Sequence, residues 1–483
     1  MAYQVEEKKW ILYRHTSSLE IIKAVAVNLK YHSKTMISED DKRDLLMKLK
    51  EMKCYDGRNP EAPLDSINHR INTLAYFMFG YKQIIKKQSR FMFSPLGSLF
   101  LKHIDDDAKL KKIFLTMLWA VQFPHPHGGN KDEDFKVFPF RIIFKLLTDK
   151  RLDCKLFSSE YAYIVAFIDK ITEESYEEIV GRICDFRKLS EGQVIKLFKE
   201  REHVLVNAVY EWDYYCRKLF EDLGVISTIE GKRICQLNHG TSTKRNLNAN
   251  AVTINKDVYG YCVKLLDSFP YYEQPLMLND SERLKLDIIK EIYSFYPEIL
   301  LEELGENQND LQMKLLELPK LISQYANNND GEEAYLFEDI LTEGFNMFHN
   351  VEAQKIGGAG NTDIECLYLG SNTKFAVDAK STKNKLSGIN AGRLADHRGK
   401  IGAKYTIVVT PRYVPAVKRD IINTQIVIIM ANTFSEFLYN CINSDLREID
   451  YADFDEIIMS NLGKDVSKLI SDLTIDKFSS VPS

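Results

Sequence analysis

Several absences narrow what this chain can be. It has no apolar run of the roughly 18 residues that a membrane-spanning helix requires, so no span is expected. Its eight cysteines are scattered, with neither a Cys-x-x-Cys pair nor a Cys/His zinc spacing. A zinc finger and a secreted disulfide scaffold are thereby excluded, and the cysteines read as reduced thiols. The stretch Met1 to Lys9 lacks the apolar centre of a secretory signal, so a cytoplasmic location is expected. Positive charge is not in surplus either: 64 Lys and Arg against 69 Asp and Glu give a formal net charge of −5. That argues against nucleic-acid binding by the whole surface but not by a local patch, because affinity comes from the Lys and Arg that displace counterions at the contact. Internal repeats and long low-complexity segments are also missing.

What is present is a 483-residue chain of ordinary globular composition, 45% hydrophobic and 28% charged, long enough for two or three domains. Its chemistry is densest at Gly357-Gly358-Ala359-Gly360-Asn361-Thr362-Asp363, followed fifteen residues after Asp363 by Asp378-Ala379-Lys380. Thr362 to Leu369 reads as a strand, Gly370-Ser371-Asn372 as a turn, and Lys374 to Lys380 as the returning strand. Centring the turn on Ser371 places Asp363 opposite Ala379, flanked diagonally by Asp378 and Lys380. Side chains alternate along a strand, so Asp378 and Lys380 share a face. One hairpin thus gathers two carboxylates and an ammonium. Carboxylates so close repel unless a divalent cation lies between them, and hard oxygen ligands suit Mg²⁺. A nucleotide-binding reading of the glycines fails, since it needs a helix directly after them and a strand follows.

This pattern resembles the PD-(D/E)xK nucleases, with Asp378-Ala379-Lys380 as the acid-x-Lys element and Thr362-Asp363 in place of the usual Pro-Asp. It is similar more specifically to the FokI-type cleavage domain of type IIS restriction endonucleases, and within these to the AlwI-like group. The likeness extends to the run Gly388 to Arg398 and the strand Tyr405 to Arg412, and its specific part covers roughly Glu333 to Asn443. The resemblance implies Mg²⁺-dependent hydrolysis of double-stranded DNA at a fixed distance outside an asymmetric site. Asp363, Asp378 and Lys380 would be catalytic; both acids and the backbone carbonyl of Ala379 would hold metal, with Glu338 the candidate helical acid. One centre per chain cuts one strand, so a monomer would dimerise transiently through its nuclease domain to cut both. A strand-specific nicking enzyme, or one subunit of a heterodimer, is the alternative. A non-catalytic DNA-binding protein with a degenerate nuclease domain is a second, disfavoured by the intact acids and lysine.

The expected fold is multidomain. Residues 1–270 form a mainly α DNA-recognition region with winged-helix-like elements, 271–331 a helical linker, and 332–483 an α/β nuclease domain of the restriction-endonuclease type. Helices are expected over Ser18 to Tyr31, Ser66 to Phe79, Ile113 to Val121 and Glu333 to Phe348. Gly224 to Ile229 and Glu230 to Leu237 read as two strands around a tight turn, a winged-helix shape. DNA contacts are expected from Lys383, Lys385, Arg393 and Arg398 beside the site, and from Lys232, Arg233, Lys244, Arg245 and Asn246, whose Arg and Asn suit base edges. For Asn238 to Asn248 a ligand-free surface loop is the bland alternative. Arg141 is a candidate base reader or a snorkelling surface residue. His125-Pro126-His127-Gly128-Gly129 reads as a loop rather than a metal site.

Overall fold

The computed structural model describes residues 8–31, 39–53, 55, 63–85, 88–128, 130, 134–239, 243–280, 285–305, 311–327, 334–356, 358, 360–444, 446 and 448–479. The chain divides into two compact units, one formed by Met1–Leu278, Ile292–Glu306 and Val481–Ser483, the other by Asn279–Glu291 and Asn307–Ser480. The segment expected to be a helical linker is therefore shared between them. Among the described residues, no helix is long and apolar enough to cross a membrane.

The first unit is mainly helical. Helices Leu19–Tyr31, Glu39–Glu51 and Pro63–Tyr76 precede an antiparallel hairpin, Gly80–Ile85 with Gln88–Phe93. Ser94 then caps helix Pro95–Lys102 by accepting from the Gly97 amide, with Pro95 in the first turn where its missing N–H costs nothing. Gly97 is required there: a Cβ would stand 2.0 Å from the Phe79 carbonyl oxygen. Helix Asp107–Ala120 runs through the core, burying Ile113, Phe114, Met117, Leu118 and Trp119.

The expected hairpin between Gly224 and Leu237 does not form. Strand Ile226–Ile229 pairs with Ala251–Ile254, and Arg233–His239 pairs with Thr243–Asn248. The two segments are successive stretches of one arm of a long ribbon, whose return is residues 243–254. Gly231 makes the junction, because a Cβ there would lie 2.1 Å from the Ala249 carbonyl oxygen. Its amide donates to Asn250 Oδ1 at 3.0 Å. Gly240, Thr241 and Ser242 of the expected contact loop lie outside the described residues.

The second unit is built on a five-stranded sheet in the order Ile426–Met430, Thr406–Thr410, Thr373–Ala379, Ile364–Tyr368, Val351–Lys355. The first three strands run parallel and the last two are antiparallel additions. Parallel strands need cover on both faces, and Thr406–Thr410 and Ile426–Met430 are buried along their whole length. On one face Phe375, Val377, Ile407, Val409, Val427 and Ile429 pack against Phe345 and Phe434. Those rings come from helices Ala334–Asn346 and Ala431–Asn443. On the other face Val408, Ile426 and Ile428 meet Leu394 of helix Ala391–Ile401 and Val417 and Ile421. Asp378 alternates with Val377, so it points to this second face, at the open end of a buried strand.

Candidate active site

The hairpin Ile364–Tyr368/Thr373–Ala379 differs from expectation by one position. Tyr368 pairs with Thr373 and Ile364 with Val377, which sets Asp363 level with Asp378 rather than with Ala379. The connection, residues 369–372, has an even number of residues, so the turn centre falls between two residues and not on Ser371. Asn372 completes it with φ of 50°, a left-handed conformation that asparagine tolerates.

The three expected residues nonetheless converge. Asp363 Oδ2 accepts from the Ala379 backbone amide at 2.7 Å. Lys380 Nζ stands 2.5 Å from Asp378 Oδ2 and 3.9 Å from Asp363 Oδ2. The approach to Asp378 is charge to charge, outside hydrogen-bonding geometry, and leaves that buried oxygen without a directed donor. Asp378 is 3% exposed, held in place by its strand's pairing to Thr406–Thr410. Asp363 belongs to the preceding loop, and Thr362 anchors it. The buried Thr362 hydroxyl donates to the Val377 carbonyl at 3.1 Å, which a proline could not do. Of the Gly-rich stretch, Gly357 and Ala359 lie outside the described residues, while Gly358 and Gly360 have φ of 90° and 84°. Lys400 Nζ contacts the Gly360 carbonyl.

Burial and the neighbouring Asp378 raise the Asp363 carboxyl to about 6, with Glu338 adding to the rise; Lys380 and the Ala379 amide act against it. Its folded value therefore lies above the unfolded one. The stability it contributes is complete below about pH 4 and is lost as pH climbs through about 6. Asp363→Asn, which carries no charge at any pH, should raise the melting temperature at pH 7.5 in EDTA, by on the order of 1–3 kcal/mol of stability. The advantage should shrink below pH 6 and vanish near pH 4. Melting curves across that range check it, and a constant difference would contradict the assignment.

Glu338 sits on helix Ala334–Asn346 near enough to act on Asp363, but it is paired to Lys355 at 3.2 Å. Lys355 also binds Asp339 at 2.8 Å. Among the described residues, no three His, Cys, Asp or Glu side chains are gathered closely enough to hold a metal ion by themselves. A divalent cation would need the two carboxylates and a backbone carbonyl such as that of Ala379. The buried Asp378 oxygen, matched only by the Lys380 charge and lying beside Asp363, fits that donor set.

The basic residues expected around the site are unequal. Lys383 and Arg393 are exposed, Arg393 on the first turn of its helix, where its amide donates to Asn390 Oδ1 at 3.0 Å. Lys385 pairs with Asp280 at 3.4 Å. Arg398 is partly buried and donates to Gln425 Oε1 at 2.6 Å. In the first unit Lys232, Arg233 and Lys244 are exposed on the ribbon. Arg245 lies over the Tyr210 ring, 4.1 Å from its centroid, and the Asn246 amide donates to the Tyr214 hydroxyl at 3.1 Å.

Arg141 differs from expectation. It is 2% exposed, donates to the Trp119 carbonyl at 2.8 Å, lies 3.6 Å from the Phe138 centroid and contacts Glu273. Its guanidinium is occupied inside the unit and is not available to a base. His125 is fully buried, with its ring held by the Tyr76 carbonyl and the His127 amide, as a structural loop requires; Gly129 lies outside the described residues.

A family profile described as the N-terminal domain of the type II restriction endonuclease HgaI matches residues 5–269. Over 482 residues the chain is 45% identical to the type II restriction enzyme HgaI of Avibacterium volantium, covering 98% of each chain. Two solved structures of the restriction endonuclease FokI, the second described as bound to DNA, align over 95% of this chain and 99% of theirs. They are 12% identical, with TM-scores of 0.29 and 0.26.

Proposed function

This chain belongs to the family of the type II restriction endonuclease HgaI, and from that membership we propose that it is a type IIS enzyme. It recognises an asymmetric site in double-stranded DNA and hydrolyses phosphodiester bonds at a fixed distance outside that site. The observation that carries the chemistry is the meeting of Asp363, Asp378 and Lys380 at one strand end. The second unit holds the cleavage centre, of the FokI type with an AlwI-like core. The first unit reads the site, through its ribbon residues Lys232, Arg233, Lys244, Arg245 and Asn246.

Asp363, Asp378 and the Ala379 carbonyl would hold Mg²⁺, with Glu338 nearby. When bound, the ion polarises the phosphoryl oxygens and acidifies its water. The chain's own groups do the rest. Asp378 is fixed by its strand, and the Ala379 amide orients Asp363. The Lys380 ammonium lies between the acids, where it steadies the attacking water or the charge growing on the phosphate. Lys383 and Arg393 supply phosphate contacts beside this point. Each chain cuts one strand, so double-strand cleavage requires transient pairing of two cleavage units, the free protein being a monomer.

The test is to incubate the protein with plasmid DNA and Mg²⁺ and sequence the ends. Ends at one offset from a common motif support the reading. Single-strand breaks at a common motif would instead favour a nicking enzyme. Scattered ends, or uncut DNA, would sink it.

A further inference from the structure

The first unit carries a second cationic surface, remote in sequence from the ribbon. Lys82 lies in strand Gly80–Ile85 opposite Phe91, and Gly80, two residues earlier, lies opposite Phe93. Paired residues share a face, so Lys82, Phe91 and Phe93 stand together. Lys30, in the last turn of helix Leu19–Tyr31, projects over the Phe93 ring at 6.0 Å from its centroid. Lys42, on the neighbouring helix Glu39–Glu51, is close enough to Lys82 to repel its charge. Two ammonium groups from two elements therefore meet at one aromatic face, with Lys42 near Lys82.

None of the three is matched by a carboxylate among the described residues. Lys82 Nζ donates to the neutral Asn72 Oδ1 at 2.5 Å, and Lys30 lies over the Phe93 ring. Of the three acids in the first turn of helix Glu39–Glu51, Glu39, Asp40 and Asp41, the first two are engaged by Arg43 at 3.6 and 3.2 Å. Lys30 and Lys82 are both partly buried. Burial lowers both ammoniums, Lys82 to about 8 with help from Lys42. A partly buried cation without an anion is costly in the free protein, and such unmatched charge concentrates at binding sites.

We propose that Lys30, Lys42 and Lys82, around Phe91 and Phe93, form a phosphate-binding surface for the backbone of duplex DNA. The proposal rests on the DNA-cutting function above. Phosphate contacts fix register and orientation without reading bases. This would give the recognition unit two separate holds on the duplex, one on the ribbon and one here.

The test compares full-length wild type with Lys30→Gln/Lys82→Gln. The probes are a labelled duplex taken from the plasmid around a mapped cut and a scrambled duplex of equal length. Affinity for both should fall about tenfold, and the slope of log affinity against log salt should shrink by about 2. Single-turnover cleavage at saturating DNA should be unchanged. Without DNA the variant should melt higher than wild type, because it has shed unmatched charge. Unchanged affinity and slope would overturn the proposal, as would a loss confined to the mapped duplex. A gain in melting temperature from inorganic phosphate alone, with no change in DNA affinity, would also overturn it. If the wild type binds DNA with these slopes but never cuts it, the functional reading fails and this surface stands.

Discussion

Asp378→Ala is expected to lower single-turnover cleavage by on the order of a thousandfold or more, while affinity for the same duplex stays within a few-fold of wild type. The asymmetry follows from placement. Asp378 is 3% exposed at the end of a buried strand, so it can hold a cation but offers little surface to DNA. The change should not unfold the unit, because it removes a charge from a site flanked by Val377 and Val408, both fully buried. Asp378→Asn separates charge from shape: it keeps the side chain's size and should be nearly as inactive. Cleavage by either variant at the wild-type rate with Mg²⁺ would show that this carboxylate is not part of the centre.

The second large effect is expected from Lys380→Ala, which should slow the chemical step about a hundredfold to a thousandfold, with a much smaller loss of affinity. Lys380 is fixed by its backbone amide, which donates to the Val409 carbonyl at 2.9 Å, and by its proximity to both acids. A group held so firmly acts at one atom of the substrate and not as a loose counterion. Lys380→Arg tests this, because its planar guanidinium cannot occupy the same point and should rescue little. Binding and cleavage measured on one duplex decide the matter. Equal losses in both would reduce Lys380 to a phosphate contact.

Much of this site could be read from the chain because it is local. Asp363, Asp378 and Lys380 belong to one hairpin, and period-two alternation plus a turn are enough to bring them together. The register differs from expectation by one residue because the turn length hinges on Asn372, whose positive φ no alternation pattern reveals. The anchoring role of Thr362 is not legible in the sequence, since its partner, the Val377 carbonyl, is known only once the strands are paired. Non-local features were harder. The ribbon was misread at Gly231, where a close approach to Ala249 mimics a turn signal. Arg141 looked like an exposed helix-start arginine, yet its partners Trp119, Pro270 and Glu273 come from distant segments. Lys30 and Lys82 carried no signal at all, because an unmatched cation is defined by what fails to arrive beside it.

The division of the chain also governs how this enzyme can be taken apart. A boundary for excising the second unit suggests itself at Asn307, where its long second stretch begins. The unit also owns Asn279–Glu291, on the far side of an excursion through Ile292–Glu306. Lys290 sits in that small piece, 4% exposed, donating to Ser471 at 2.6 Å and contacting Glu436. A graft cut at Asn307 would strip Ser471 and Glu436 of their contacts with Lys290. A chimera builder must carry the excursion along or bridge it with a new loop, so the seam between the two units lies before Asn279.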